Sequence, residues 1–363
     1  MPMTATDSAG TANHSTASSR HATGGNLRRV RLWLAATAVL VFVIVLVGGA
    51  TRLTDSGLSI TEWKPVVGAI PPLSQDDWQA EFELYQQTPQ YALLNRGMSL
   101  SEFKFIYWWE WGHRQLGRLI GLIFLGGLVW FSVRRTVNAR QGLLLFGAGL
   151  LLGTQGLIGW IMVASGLEPG MTAVAPVKLT LHLIFACLFF AALIVLIARL
   201  GRNDGESASS GLRIGAYAIT LAIFVQIALG GLVAGYDAGL TYNTWPMMDG
   251  EFIPDGLAAL APWWMNMIDN VTAIQFNHRI GAYVLTLLIG LHTLFVWRDA
   301  APAVRQRLAG LTGLVVVQMV LGIVTLIYVV PFSAALAHQG MALIMLAVAV
   351  WHTARLRVAA PSA

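Results

Sequence analysis

Eight mainly apolar stretches run through this chain, near 32–50, 108–133, 142–164, 178–199, 213–234, 272–297, 308–330 and 334–354. Crossing a bilayer as a helix takes about 20 such residues. Lipid offers no hydrogen bonds, so a spanning segment must satisfy its own backbone, and these runs are too long to be barrel strands. The sequence therefore predicts an all-α polytopic membrane protein with eight transmembrane helices. Composition agrees: 56% of the 363 residues are hydrophobic and 11% are charged, against roughly 25% charged in an average soluble domain.

The arginines give an orientation. Arg28, Arg29 and Arg31 precede the first span, Arg134, Arg135 and Arg140 follow the second, and Arg199, Arg202 and Arg213 separate the fourth from the fifth. Arg298, Arg305 and Arg307 follow the sixth, and Arg355 and Arg357 close the chain. By the positive-inside rule these segments, both termini included, are expected to be cytoplasmic. The net charge of +5 then reflects topology and calls for no nucleic-acid partner; the expected partner is membrane lipid. The alternate loops, about 52–106, 165–177, 235–271 and 330–333, face outward. Residues 1–26 read as a disordered tail rich in Ser, Thr, Ala and Gly. With no cleavable signal pattern and no arginine-rich presequence, a bacterial plasma membrane is favoured. Cys187, the single cysteine, lies in the fourth span and is expected to pack.

An internal repeat divides the chain. Gly48-Gly49-Ala50-Thr51-Arg52 and Ser56-Gly57-Leu58 follow the first span; Gly230-Gly231-Leu232-Val233 and Ala238-Gly239-Leu240 follow the fifth. Glu62-Trp63-Lys64-Pro65 matches Thr244-Trp245-Pro246, and Gln155-Gly156-Leu157-Ile158-Gly159 matches Gln318-Met319-Val320-Leu321-Gly322. His113-Arg114 opens the second span and His278-Arg279 the sixth. The expectation is two tandem four-helix bundles related by pseudo-twofold symmetry, at 27–200 and 213–357, joined by a cytoplasmic linker at 201–212.

Four histidines, His113, His182, His278 and His338, fall early in spans two, four, six and eight, all of which enter from the outer side. Ionisable groups inside a membrane are costly and mark functional sites, and neutral imidazole is the commonest metal ligand. Zinc would want four ligands, whereas haem brings four nitrogens and needs only axial ones. Two imidazoles at one level in each half thus suggest a haem per half, toward the outer face, with Arg114, Arg118 and Arg279 placed to meet propionates. A single histidine of this kind would read as a hydrogen-bonded packing residue. His292 and His352 each lie fourteen residues deeper than His278 and His338, about 21 Å along the helix. They are either a further haem pair or, for His352 among Trp351, Arg355 and Arg357, an interfacial residue.

One position distinguishes the halves. Glu110 stands three residues before His113, and Gln275 three before His278, each on the same helical face as its histidine. A carboxylate beside a haem edge can take a proton or stabilise positive charge, which an amide cannot. The alternative is that Glu110 caps its helix or faces water among Trp108, Trp109 and Trp111.

Taken together, Gly48-Gly49-Ala50-Thr51-Arg52-Leu53-Thr54, Ser56-Gly57-Leu58-Ser59, Glu62-Trp63-Lys64-Pro65, Pro71-Pro72, Glu110-x-x-His113-Arg114, Asn243-Thr244-Trp245-Pro246-Met247-Met248-Asp249-Gly250 and Asn277-His278-Arg279 resemble the haem A synthase family. The likeness runs from about 30 to 355, and the long first outer loop is similar to the branch shared by mitochondria and many proteobacteria. Some members carry a cysteine pair in that loop; this chain has none there. The resemblance implies oxidation of the C8 methyl of haem O to the formyl of haem A by successive hydroxylations with water as oxygen source. It implies His113 and His182 on the substrate haem, His278 and His338 on a resident haem b, and Glu110 as the catalytic carboxylate. Haem O synthase, cytochrome c oxidase assembly factors and a second copy of the chain are the protein partners it suggests. Two other classes remain open: a b-type electron carrier, for which three or more haems would speak, and a transporter, for which haem-free protein would speak.

Overall fold

The computed structural model describes residues 12–64, 66–200 and 205–358, with backbone alone for 12–26 and 358. The expected tail at 1–26 therefore falls on residues that are undescribed or described without side chains, and residues 201–204 of the expected linker lie outside the description. Helix α1 (Ala12–Leu53) is followed by α2 (Gln75–Gln86) and α3 (Pro89–Leu93), and then by α4 (Leu100–Val133), α5 (Ala139–Gly166) and α6 (Pro176–Arg199). The second half holds α7 (Ser210–Gly235), α8 (Val271–Val296), α9 (Pro302–Ile327) and α10 (Phe332–Arg355). Among the described residues, α1 from Leu27 onward and α4 to α10 are the eight helices long and apolar enough to cross a membrane. The chain is a multi-pass α-helical membrane protein.

Local chemistry sets the helix starts. Ser99 and Glu102 form a capping box on α4, and Asn138 and Gln141 form one on α5, each satisfying amides that the first turn leaves open. Pro176 and Pro302 occupy first-turn positions of α6 and α9, where a missing amide is harmless. The stretch expected at 108–133 is the deeper part of a longer helix. At 34 residues, α4 extends about 51 Å and outreaches a hydrocarbon core of about 30 Å.

In the first half α1 packs on α4, α4 on α5, α5 on α6 and α6 back on α1. In the second, α7 packs on α8, α8 on α9, α9 on α10 and α10 back on α7. Between them α6 meets α7, α1 meets α10, and α6 meets α10. Lipid removes the usual apolar driving force, so small residues and interhelical hydrogen bonds hold such helices together. Trp33 Nε1 donates to the Ile123 carbonyl at 2.9 Å, and a Cβ at Gly127 would stand 2.1 Å from that indole. Gln339 of α10 donates to the Val45 carbonyl at 2.8 Å and occupies the space beside Gly49.

Two features escaped the sequence reading. The loop before α4 is folded: Trp78, Phe82 and Tyr85 of α2 pack on Phe103, Ile106 and Tyr107 of α4. A short parallel pair, β1 (Glu206–Ala208) with β2 (Leu356–Val358), ties the segment between the halves to the end of α10.

Candidate functional site

The four histidines converge in two pairs. His113 of α4 and His182 of α6 have ring centroids 6.5 Å apart; His278 of α8 and His338 of α10 have theirs 6.4 Å apart. An imidazole nitrogen sits about 2 Å from a bound metal, so two rings on opposite sides of one iron have centroids roughly 6–6.5 Å apart. Both pairs fit that spacing. The groups of three or more His, Cys, Asp or Glu that a protein-only metal site needs are absent among the described residues, so the donor set suits a metal that brings its own remaining ligands.

Each imidazole lies against a glycine of a neighbouring helix. A Cβ would stand 3.0 Å from His113 Cε1 at Gly48, 2.7 Å from His182 Cε1 at Gly159, 3.1 Å from His278 Cε1 at Gly230 and 2.8 Å from His338 Cε1 at Gly322. Only a hydrogen leaves room for the ring at this range. Beside three of the rings stands a glutamine: Gln155 Nε2 is 3.2 Å from His182, Gln226 Nε2 is 3.1 Å from His278 Nδ1, and Gln318 Nε2 is 3.5 Å from His338 Nε2. The Oε1 atoms of all three glutamines are buried without a partner. When an imidazole coordinates through one nitrogen, the other carries a proton and wants an acceptor. Turning each amide over would supply one. At His113 the position matching Gln226 is Ile44, and His113 Nδ1 is buried without a partner.

Glu110 neither caps α4 nor faces water. It is 3% exposed, and Oε2 accepts from Ser59 Oγ at 2.8 Å and from the Ile60 amide at 2.9 Å. Oε1 pairs with Arg114 Nη2 at 2.6 Å. Gln275 holds the matching place in the second half, donating to the Tyr242 carbonyl at 3.0 Å. In both halves this position clips the loop to the helix that carries the histidine. What differs is the charge.

The three arginines also turn to the loops. Arg114 donates to the Ile60 and Glu62 carbonyls, Arg118 to Lys64, and Arg279 to Tyr242, Thr244 and Met247. Arg279 Nε is buried and without a partner. Deeper in the second half, His352 Nδ1 accepts from Arg307 Nε at 3.1 Å, and Arg307 pairs with Glu206. His352 is 1% exposed and packed inside the protein. Cys187 is buried and free.

The family profile COX15-CtaA, described as cytochrome oxidase assembly protein, matches residues 31–350. The chain belongs to this family. It is 56% identical to "Heme A synthase" of Methylobacterium sp. (strain 4-46) over 89% of this chain and 91% of the relative. It is 56% identical to "Heme A synthase" of Methylobacterium nodulans over 87% and 88%. It is 50% identical to the "Heme A synthase" of Bradyrhizobium sp. (strain ORS 278) over 91% and 93%. The glycine seats and two of the three glutamines were visible as motifs, Gly48-Gly49, Gly230-Gly231 and the Gln155 and Gln318 segments, whereas Gln226 was missed, and spacing alone does not say that any of them face imidazoles.

Proposed function

We propose that this chain oxidises the C8 methyl of haem O to the formyl of haem A by successive hydroxylations with water as oxygen source. His113 and His182 hold the substrate haem, and His278 and His338 hold a resident haem b. The two histidine pairs carry this reading, since each sits at the separation of two axial ligands while only the first has a buried carboxylate beside it. The relatives' names supply the substrate class. Bound haem iron would supply reversible one-electron chemistry, and each hydroxylation would pass two electrons onward to an external oxidant. Glu110 lies on the same face of α4 as His113, one turn away. There its carboxylate stabilises positive charge developing on the methyl carbon and receives the proton that leaves it. Arg114, Ser59 and the Ile60 amide hold that carboxylate in one position, so it need not reorganise during reaction. Arg279 Nε, buried and unpaired, is placed for a propionate, and Arg114 and Arg118 on the helix of His113 are the first half's candidates for the same contact.

The reading extends to the whole chain. The halves, 27–200 and 213–357, form tandem bundles related by a pseudo-twofold axis, with α1, α4, α5 and α6 exchanging for α7, α8, α9 and α10. The arginine distribution supports a topology with both termini in the cytoplasm and the histidines toward the outer face of a bacterial plasma membrane. Haem O synthase and oxidase assembly factors are the partners such chemistry requires nearby. Expressing the chain beside a source of haem O, then extracting and chromatographing the haems, tests the proposal. Haem A that depends on this chain supports it; unchanged haem O in cells that hold folded, haem-loaded protein rejects it.

A further inference from the structure

The four imidazole seats share one pattern and break it once. On α5, α7 and α9 the glycine against the ring stands four residues after a glutamine: Gln155 with Gly159, Gln226 with Gly230, Gln318 with Gly322. Four residues is about one turn, so glutamine and glycine face the same neighbouring helix. On α1 the glycine is Gly48, and the residue four before it is Ile44. The main chain of residues 44, 155 and 318 lies beside His113, His182 and His338 alike. What sets His113 apart is the side chain.

An amide offers a ring nitrogen both a donor and an acceptor, whichever tautomer the ring holds. Gln155, Gln226 and Gln318 each bring Nε2 within 3.5 Å of a ring nitrogen and keep a buried Oε1 without a partner. Gln226 also donates to the His278 carbonyl at 2.9 Å, which steadies the turn that carries the ring. Isoleucine offers neither group. Ile44 Cδ1 instead lies 3.7 Å from where a Cβ on Gly117 would stand, one turn beyond His113. His113 Nδ1 is buried without a partner.

When one imidazole nitrogen binds iron, the other carries a proton, and an acceptor for that proton raises the ligand's basicity and fixes the ring. Without an acceptor, a buried donor is left unsatisfied, which weakens the bound state. The second half has an amide for both rings, and the first half has one for His182 alone. We propose, on the haem function above, that Ile44 makes His113 the weak axial ligand, so that the first-half site exchanges its haem by release at His113 while Gln226 and Gln318 retain the haem of the second. A substrate that must arrive and a product that must leave need such a ligand; a permanent cofactor does not. Ile44 and Gln226 are then positioning residues, acting through the imidazoles.

The full chain in detergent micelles, loaded with haem, tests this. His278→Ala leaves the first-half haem alone and His113→Ala the second, so each site is read by itself. Transfer to excess apomyoglobin, followed in the Soret band, should empty the first-half site about tenfold faster than the second. Ile44→Gln in the His278→Ala chain should slow release about tenfold, and Gln226→Leu in the His113→Ala chain should speed it about tenfold. Altered packing alone would move release without moving the redox midpoint. A more basic ligand favours ferric over ferrous iron, so a tenfold loss confined to the ferric form raises the midpoint by about 59 mV. Gln226→Leu should show that rise and Ile44→Gln a matching fall. If Ile44→Gln does not fold, Gln226→Leu decides. Equal release from the two sites, or a Gln226→Leu chain with release and midpoint both unmoved, overturns the proposal and leaves the functional reading standing. Protein that binds no haem at either pair sinks that reading, and the proposal with it.

Discussion

Glu110 and Gln275 do the same structural work with different charge, and this makes one substitution unusually informative. In Glu110→Gln the amide oxygen can still accept from Ser59 and Ile60, while the amide nitrogen replaces the oxygen that paired with Arg114. The clip survives and the negative charge is lost. Haem content and absorption spectrum should stay as in the unmodified chain, while turnover falls by about 100-fold or more, the usual loss when a positioned electrostatic group is removed. Haem chromatography with a quantified Soret band reads both; near-normal haem A formation would remove Glu110 from the chemistry. The glycine seats offer a second residue-scale test, because added methyl groups there must push an imidazole. Gly159→Ala, whose Cβ would stand 2.7 Å from His182 Cε1, should weaken the first-half haem. Gly322→Ala, at 2.8 Å from His338 Cε1, should weaken the second. Overpacking of this kind costs about 1–3 kcal/mol, seen as haem lost on dilution from one half only. Equal loss from both halves, or from neither, would contradict the pairing.

At the scale of elements, the folded loop acts as the backing of Glu110. Gln90 Nε2 donates to the Asp55 carbonyl at 3.0 Å, Tyr85 Oη joins Gln90 to Asn95, and the Tyr85 ring stacks on Phe103. The segment carrying Ser59 and Ile60 is thereby braced by the loop helices α2 and α3. Phe103→Ala should cost about 3–5 kcal/mol of local stability. Faster hydrogen exchange at residues 56–62 and reduced turnover are expected, with both haems retained; unchanged exchange there would show the brace to be idle. The sequence reading foresaw the spans and not this brace, for a physical reason. A span declares itself by a continuous apolar run, whereas α2 and α3 are short, and their aromatic residues acquire meaning only against Phe103 and Tyr107. The histidine pairs were legible because an imidazole in an apolar helix is costly and four in register are hard to attribute to chance. Glu110's partners were not, since Ser59 and Ile60 lie about 50 residues away.

For the molecule as a whole, the contact pattern returns to itself when each helix of one half is exchanged with its counterpart. The contact of α6 with α7 becomes that of α10 with α1, and α6 with α10 becomes itself. Contacts that cross between the halves obey the same exchange: Gly49 of α1 takes Gln339 of α10, and Gly231 of α7 takes Thr180 of α6. At the loop end Arg52 reaches Asp237 at 2.5 Å and the Ala234 carbonyl at 3.1 Å. The halves are thus fastened by an ion pair, backbone hydrogen bonds and small-residue packing on residues close to the imidazoles, but no imidazole makes any of these contacts, so emptying one site removes none of the fasteners. Each site should then load on its own. His278→Ala should keep the first-half haem and lose haem b, and His113→Ala should do the opposite, each holding about one haem per chain against two in the unmodified protein. Pyridine haemochrome assay against protein mass measures this directly. Only the His278→Ala variant would still carry the farnesylated substrate when haem O is supplied. Loss of both haems from either variant would mean that the two sites fold as one unit, and three per chain in the unmodified protein would favour an electron carrier over a synthase.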